Sequence, residues 1–197
     1  MGRWMSCLSR WRFEMRANEF NEQVTSTLEP ALLNVGFVRK GSDFVRQREE
    51  SQLVLLRFGG SKFASLRQFT RFMLCFRHTF LRDLDEAVPV SHPKNGHAYP
   101  FRIQPSSLTS LSVIDRFYQF KLNADSKDYD EIEYGNLRDA KPRLQRIGDS
   151  VAAKGLEWAT IFSEDFALGL LTKYGADAWC EKLWIQDYLA RKQKSLA

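Results

Sequence analysis

Residues 36–81, GFVRKGSDFVRQREESQLVLLRFGGSKFASLRQFTRFMLCFRHTFL, decide the fold. Three apolar, arginine-rich runs are parted by Lys40-Gly41, Glu49-Glu50-Ser51 and Gly59-Gly60. Turn-forming residues between apolar runs are the pattern of an antiparallel meander. Residues 44–47 and 53–58 read as short strands, and 66–80 as one long strand or two joined at a bulge. In that last run Phe72, Leu74 and Phe76 hold the even positions. The odd positions carry Arg67, Arg71 and Arg77 beside Phe69, Met73 and Cys75. Alternation with period two predicts one buried face and one mixed face.

Upstream, Phe20, Val24, Leu28, Leu32 and Val35 step by four, four, four and three, which is one face of a helix. Pro30 either kinks it or starts a second segment at its favoured first-turn position. Gly36 suits a left-handed residue that ends the helix. Downstream, residues 83–100 hold two internal prolines, an Asn95-Gly96 pair and no periodicity, so they read as a long exposed loop carrying His92 and His97. Residues 101–104 read as an edge strand stopped by Pro105, and 113–122 (VIDRFYQFKL) as a further strand.

After an acidic segment (Asp125, Asp128, Asp130, Glu131, Glu133) the chain turns helical. Leu144, Ile147 and Val151 form a stripe, Ser163 followed by Glu164 and Asp165 opens a second helix, and Gly175 suits its end. A last helix begins near Asp177, carries Trp179, Leu183, Trp184 and Tyr188, and ends in Arg191, Lys192 and Lys194. The predicted fold is α+β. An N-terminal helix packs on an antiparallel meander of about five strands, and a C-terminal region of about three helices follows.

The 197 residues fit one domain, taken as 16–195. Residues 1–15 read as a flexible extension. Trp4, Leu8, Trp11 and Met15 at helical spacing leave open a basic amphipathic helix, and Met15 leaves open an over-long start. No apolar run approaches the ~18–20 residues of a membrane span. Cys7, Cys75 and Cys180, odd in number and far apart, point to reduced thiols and a cytoplasmic protein.

Between Phe37 and Arg82 ten Lys/Arg face three Asp/Glu, a net of +7, leaving −2 for the rest of a chain of net +5. The basic character therefore belongs to the sheet. The candidate binding surface is Arg67, Phe69, Arg71, Met73 and Arg77, with Arg46, Arg57, His92 and His97. Two bland readings compete with it: arginine stems lying over apolar neighbours, and an intramolecular cover formed by the acidic 125–133 segment.

The sequence has no Gly-x-Gly-x-x-Gly, no P-loop and no nucleophile elbow. No catalytic residue, cofactor or metal is assigned, and His92 and His97 without a nearby Cys are a weak metal signal. Three functions stay open. The first is a non-catalytic protein-binding module with an acidic partner; its oligomeric state is not legible. The second is a nucleic-acid binder that stacks bases on Phe69, Phe72 or Phe76. The third is a hydrolase, which requires His78, His92 or His97 to converge with carboxylates.

The pattern Gly36-Phe37 to Gly41 and Phe44, preceded by Leu28-Glu29-Pro30-Ala31-Leu32, resembles the bacterial domain of unknown function 4304 family over roughly residues 16–190. Phe101-Arg102-Ile103 matches that family's later arginine-bearing motif loosely. The resemblance implies a small cytosolic bacterial α+β domain acting as an accessory or interaction protein, and it brings no activity, cofactor or catalytic residue.

Overall fold

The structure, a computed structural model, describes residues 17–62, 67–82, 92–109, 131–133, 137–174 and 179–196. The expected extension at 1–15 and the expected strand at 113–122 lie outside the described residues, as do Asp125, Asp128, Asp130 and Gly175.

Helix α1 runs over residues 17–33 and buries Phe20, Val24, Leu28 and Leu32 completely. Pro30, which has no N–H to donate, would cost a hydrogen bond in a uniform α-helix. A π-turn at Val24–Leu28 precedes it, and Pro30 falls in the first turn of the α-helical segment Glu29–Leu33 that follows. The helix ends as Gly36 invites. Gly36 adopts φ +84°, its N–H bonds Leu33 O at 3.0 Å, and Phe37 N–H bonds Leu32 O at 3.1 Å. A side chain at Gly36 would be strained in that conformation.

The strands are β1 (Val38–Lys40), β2 (Asp43–Gln47), β3 (Ser51–Lys62), β4 (Arg67–His78), β5 (Phe101–Ile103) and β6 (Glu131–Glu133). Their order is β1-β2-β3-β4-β5, with β6 also paired to β4 and every pairing antiparallel. The Gly41-Ser42 and 48–50 turns fall where the sequence places them. Gly59-Gly60 does not form the third turn. Both glycines lie inside β3, opposite Thr70 and Phe69, and the ladder continues to Lys62 opposite Arg67. Glycine permits a turn without forcing one, and the long β3–β4 register prevails.

β5 and β6 share one edge of β4. Phe101, Arg102 and Ile103 face Phe76, Cys75 and Leu74; Glu131, Ile132 and Glu133 face Arg71, Thr70 and Phe69. The two triplets run in the same direction, with only Phe72 and Met73 of β4 between their partners. They are one edge position supplied in two pieces. Pro105 ends the first piece and opens a 3₁₀ turn, Pro105–Thr109.

Three helices follow among the described residues. Helix α2 spans residues 137–160 with a π-turn at Val151–Gly155, α3 is Glu164–Tyr174 and α4 is Trp179–Leu196. Ser163 Oγ accepts the Phe166 N–H at 3.3 Å, the expected N-cap. The four helices of the described residues lie on the sheet face that carries Phe44, Leu55, Phe72, Leu74, Phe76, Phe101 and Ile132, and together they form the main core. This face is called inner, and the opposite one outer.

Candidate functional site

Register sorts the arginines by face, because directly paired residues project to the same side of a sheet. Phe69, Arg71, Met73, Cys75 and Arg77 fall on the outer face, as the alternation predicts. Arg46 and Arg57 do not. Arg46 pairs with Leu53 of the main core, and its Nε is the atom nearest the position a Gly36 side chain would take. Burial, aided by Arg48, lowers its pKa. Arg57 turns toward α1, where Nη1 donates to Asn21 Oδ1 at 2.7 Å, Nε donates to Thr70 Oγ1 at 3.1 Å, and the guanidinium lies 4.8 Å from the Phe20 ring centre. Both leave the candidate surface through register: odd-numbered positions on β3, Arg57 among them, pair with the even, inner-facing positions of β4, and Arg46 of β2 pairs with the odd-numbered Leu53 of β3.

Arg77 keeps the outer face but is only 6% exposed. Nη2 donates to the Leu81 carbonyl, and the guanidinium lies 6.0 Å from the Tyr99 ring centre. The side chain of Arg67 lies outside the described residues.

Residues 92–100 correct the exposed-loop reading. His92, Gly96, Tyr99 and Pro100 are buried, and this strap covers a small outer core of Val45, Val54, Leu56 and Cys75. Its anchor is Asp43, whose side chain, like that of His92, is 3% exposed. Asp43 Oδ2 accepts from His92 Nε2 at 2.9 Å, and Oδ1 accepts from the Arg57 backbone N–H at 2.9 Å and Ser42 Oγ at 3.3 Å. A buried carboxylate needs such donors. Arg102 Nη1 donates to the Gly96 carbonyl and to His97 Nδ1, both at 3.2 Å, and Tyr99 Oη donates to the Pro93 carbonyl at 2.9 Å. A side chain at Gly96 would meet Phe58 Cζ at 3.1 Å and Met73 Sδ at 3.6 Å, so the strap rests on those two residues.

Beside the strap the outer face carries a patch of Phe58, Phe69, Arg71 and Met73, all partly exposed, with the Arg71 guanidinium 4.7 Å from the Phe69 ring centre. Phe58 is the ladder partner of Arg71. Exposed Lys94 and His97 belong to the strap beside it. The acidic segment reaches this region through β6, whose Glu131 is the ladder partner of Arg71.

The three histidines do not converge. His78 is buried on the inner face, where it accepts from Trp184 Nε1 at Nδ1 over 3.1 Å. The proton therefore sits on Nε2, which donates to the Phe162 carbonyl at 3.0 Å. Both ring nitrogens of His78 are thus held by structural bonds. Its pKa is lowered, mainly by burial. Cys75 and Cys180 are buried thiols. Burial pushes the Cys75 thiol far up and Cys180 to about 11, so neither is an activated nucleophile.

Among the described residues no group of three His, Cys, Asp or Glu side chains is placed to hold a metal, and no helix is long and apolar enough to cross a membrane. No family model, no curated protein and no solved structure matches the chain.

Sequence reasoning missed the Asp43–His92 contact. Its partners are 49 positions apart, and neither sits in a recognisable motif.

Proposed function

We propose that the chain is a non-catalytic protein-binding module of the bacterial cytoplasm, an immunity-type or accessory protein that docks a partner on the Phe58–Phe69–Arg71–Met73 patch. The observation that carries this reading is the Arg71 guanidinium stacked on Phe69 beside a partly exposed Phe and Met. Aromatic, Arg and Met side chains in a partly desolvated cluster are the residue types that dominate interface hot spots. The guanidinium favours an acidic contact on the partner. A likeness to the domain of unknown function 4304 family fits an accessory role of this kind. Nucleic-acid binding is the weaker reading, because Arg57 and Arg77 are turned to internal acceptors and rings and Arg46 belongs to the inner face, so the three do not line a phosphate track.

The test places a photo-crosslinking phenylalanine analogue at Met73 in bacterial cells, with Gln145 on exposed α2 as the control position. A discrete protein adduct from position 73, lost with Arg71→Glu, is the expected result. A nuclease-sensitive adduct, together with oligonucleotide affinity that falls steeply with log salt, would overturn it in favour of nucleic acid. Failure of position 73 to give any adduct above the control would remove the reading.

A further inference from the structure

The edge opposite β5 is β1, and among the described residues β1 pairs only with β2. A row of ladder partners crosses the outer face from this edge: Val38, Val45, Val54, Cys75 and Arg102. Val45, Val54 and Cys75 are buried under the strap, yet the row ends in a Val38 that is 58% exposed. A second large apolar side chain, Leu33, is 48% exposed at the end of α1, whose last segment packs beside β1. An apolar row that runs out at an exposed strand edge is a template for one more strand.

Charge decides what kind of strand. Arg39 is committed to the helix side, where Nη1 meets Glu29 Oε2 at 2.6 Å and Thr25 Oγ1 at 2.8 Å. Lys40 is exposed on the same outer side as Val38 and has no ion-pair partner among the described residues. A second copy docking symmetrically through β1 would set Arg39 against Arg39 and both lysines close by. Like charges directly opposite destabilise a ladder. With Arg39 already paired to Glu29, it is the Lys40 ammonium that attracts a carboxylate on the outer side.

We propose that β1 accepts an extended segment of a protein partner as an additional antiparallel strand, with an apolar residue opposite Val38 and an acidic residue opposite Lys40. In an antiparallel ladder the incoming segment then reads acid-x-apolar from N to C. This edge is separate from the Phe69–Arg71 patch, so either can fail without the other.

The probe is a capped pentapeptide, acetyl-Thr-Glu-Thr-Val-Thr-amide, titrated into the full-length ¹⁵N-labelled chain at low salt. Amide shifts concentrated at Val38, Arg39 and Lys40 are expected. The peptide with lysine in place of glutamate should bind about tenfold more weakly, backbone N-methylation should abolish the shifts, and Lys40→Glu should reverse the charge preference. Arg71→Glu should leave this binding unchanged. Equal binding of the glutamate and lysine peptides, shifts centred elsewhere or absent, or β1 shifts that follow protein concentration without peptide would each overturn the proposal.

Discussion

On its inner face the sheet is held by area, and on its outer face by a few placed bonds. Four helices bury Phe72, Leu74, Phe76, Phe101, Trp158 and Trp184 against one side, with Phe101 and Phe162 stacked 4.4 Å apart. Among the described residues, the other side is covered by the nine of the strap, which lie over four buried side chains, hold on through Asp43–His92 and Arg102–Gly96, and are braced internally by Tyr99–Pro93. Apolar burial is additive and forgiving, whereas a thin layer depends on whether each polar atom finds its partner. The inner layer is therefore expected to open only with the whole domain, and the strap to open by itself.

The largest test of that contrast is Trp184→Ala. It removes a fully buried indole and leaves His78 Nδ1 without its donor, at an expected cost of about 4 kcal/mol in a denaturant titration. A loss below about 1 kcal/mol would mean that α4 is not part of the inner core. The same contact makes stability depend on pH. The unfolded chain takes up a proton at His78 near its ordinary pKa of 6.5, which folded His78 resists because it is buried. Its contribution is complete above that pH and is lost as pH falls toward the lowered folded value. His78→Gln keeps an acceptor and a donor but cannot titrate, so its stability relative to the parent should improve between about pH 7 and 5. Parallel pH curves for the two chains would refute this account of the clamp.

A smaller and more local effect is expected from His92→Ala. Asp43 keeps the Arg57 N–H and Ser42, so the cost should be about 2 kcal/mol. Hydrogen exchange should quicken at Ala98 and Tyr99 before it does at β3 or β4. If all of these amides open together, the two faces form one cooperative unit and the contrast fails.

Much of the inner face is legible in the sequence, because it is built from local periodicities. The Phe20-to-Leu32 stripe, the Gly36 stop, the even positions of β4 and the Ser163 cap each lie within one element or at its end. The outer face is less so. Asp43 and His92 belong to segments joined only in three dimensions, and nothing in residues 83–100 marks His92 for burial. The arginines were ambiguous for a related reason. Alternation assigns faces within a strand, but the relation between strands depends on register, which carries Arg57 to the helices and Arg71 to the other side. Gly59-Gly60 misleads because two glycines are compatible with a strand once a long ladder stabilises it.

The divided edge of β4 also has a consequence in time. β3 and β4 meet across a four-residue connection, whereas β6 must return over 27 residues after β5 to take its place on the same ladder. Closing the longer loop loses more chain entropy before any contact rewards it, so the hairpin is expected to nucleate and β6 to zip on late. Ile132→Val should then speed unfolding while leaving the refolding rate almost unchanged, and a matching slowdown in refolding would place β6 in the nucleus instead.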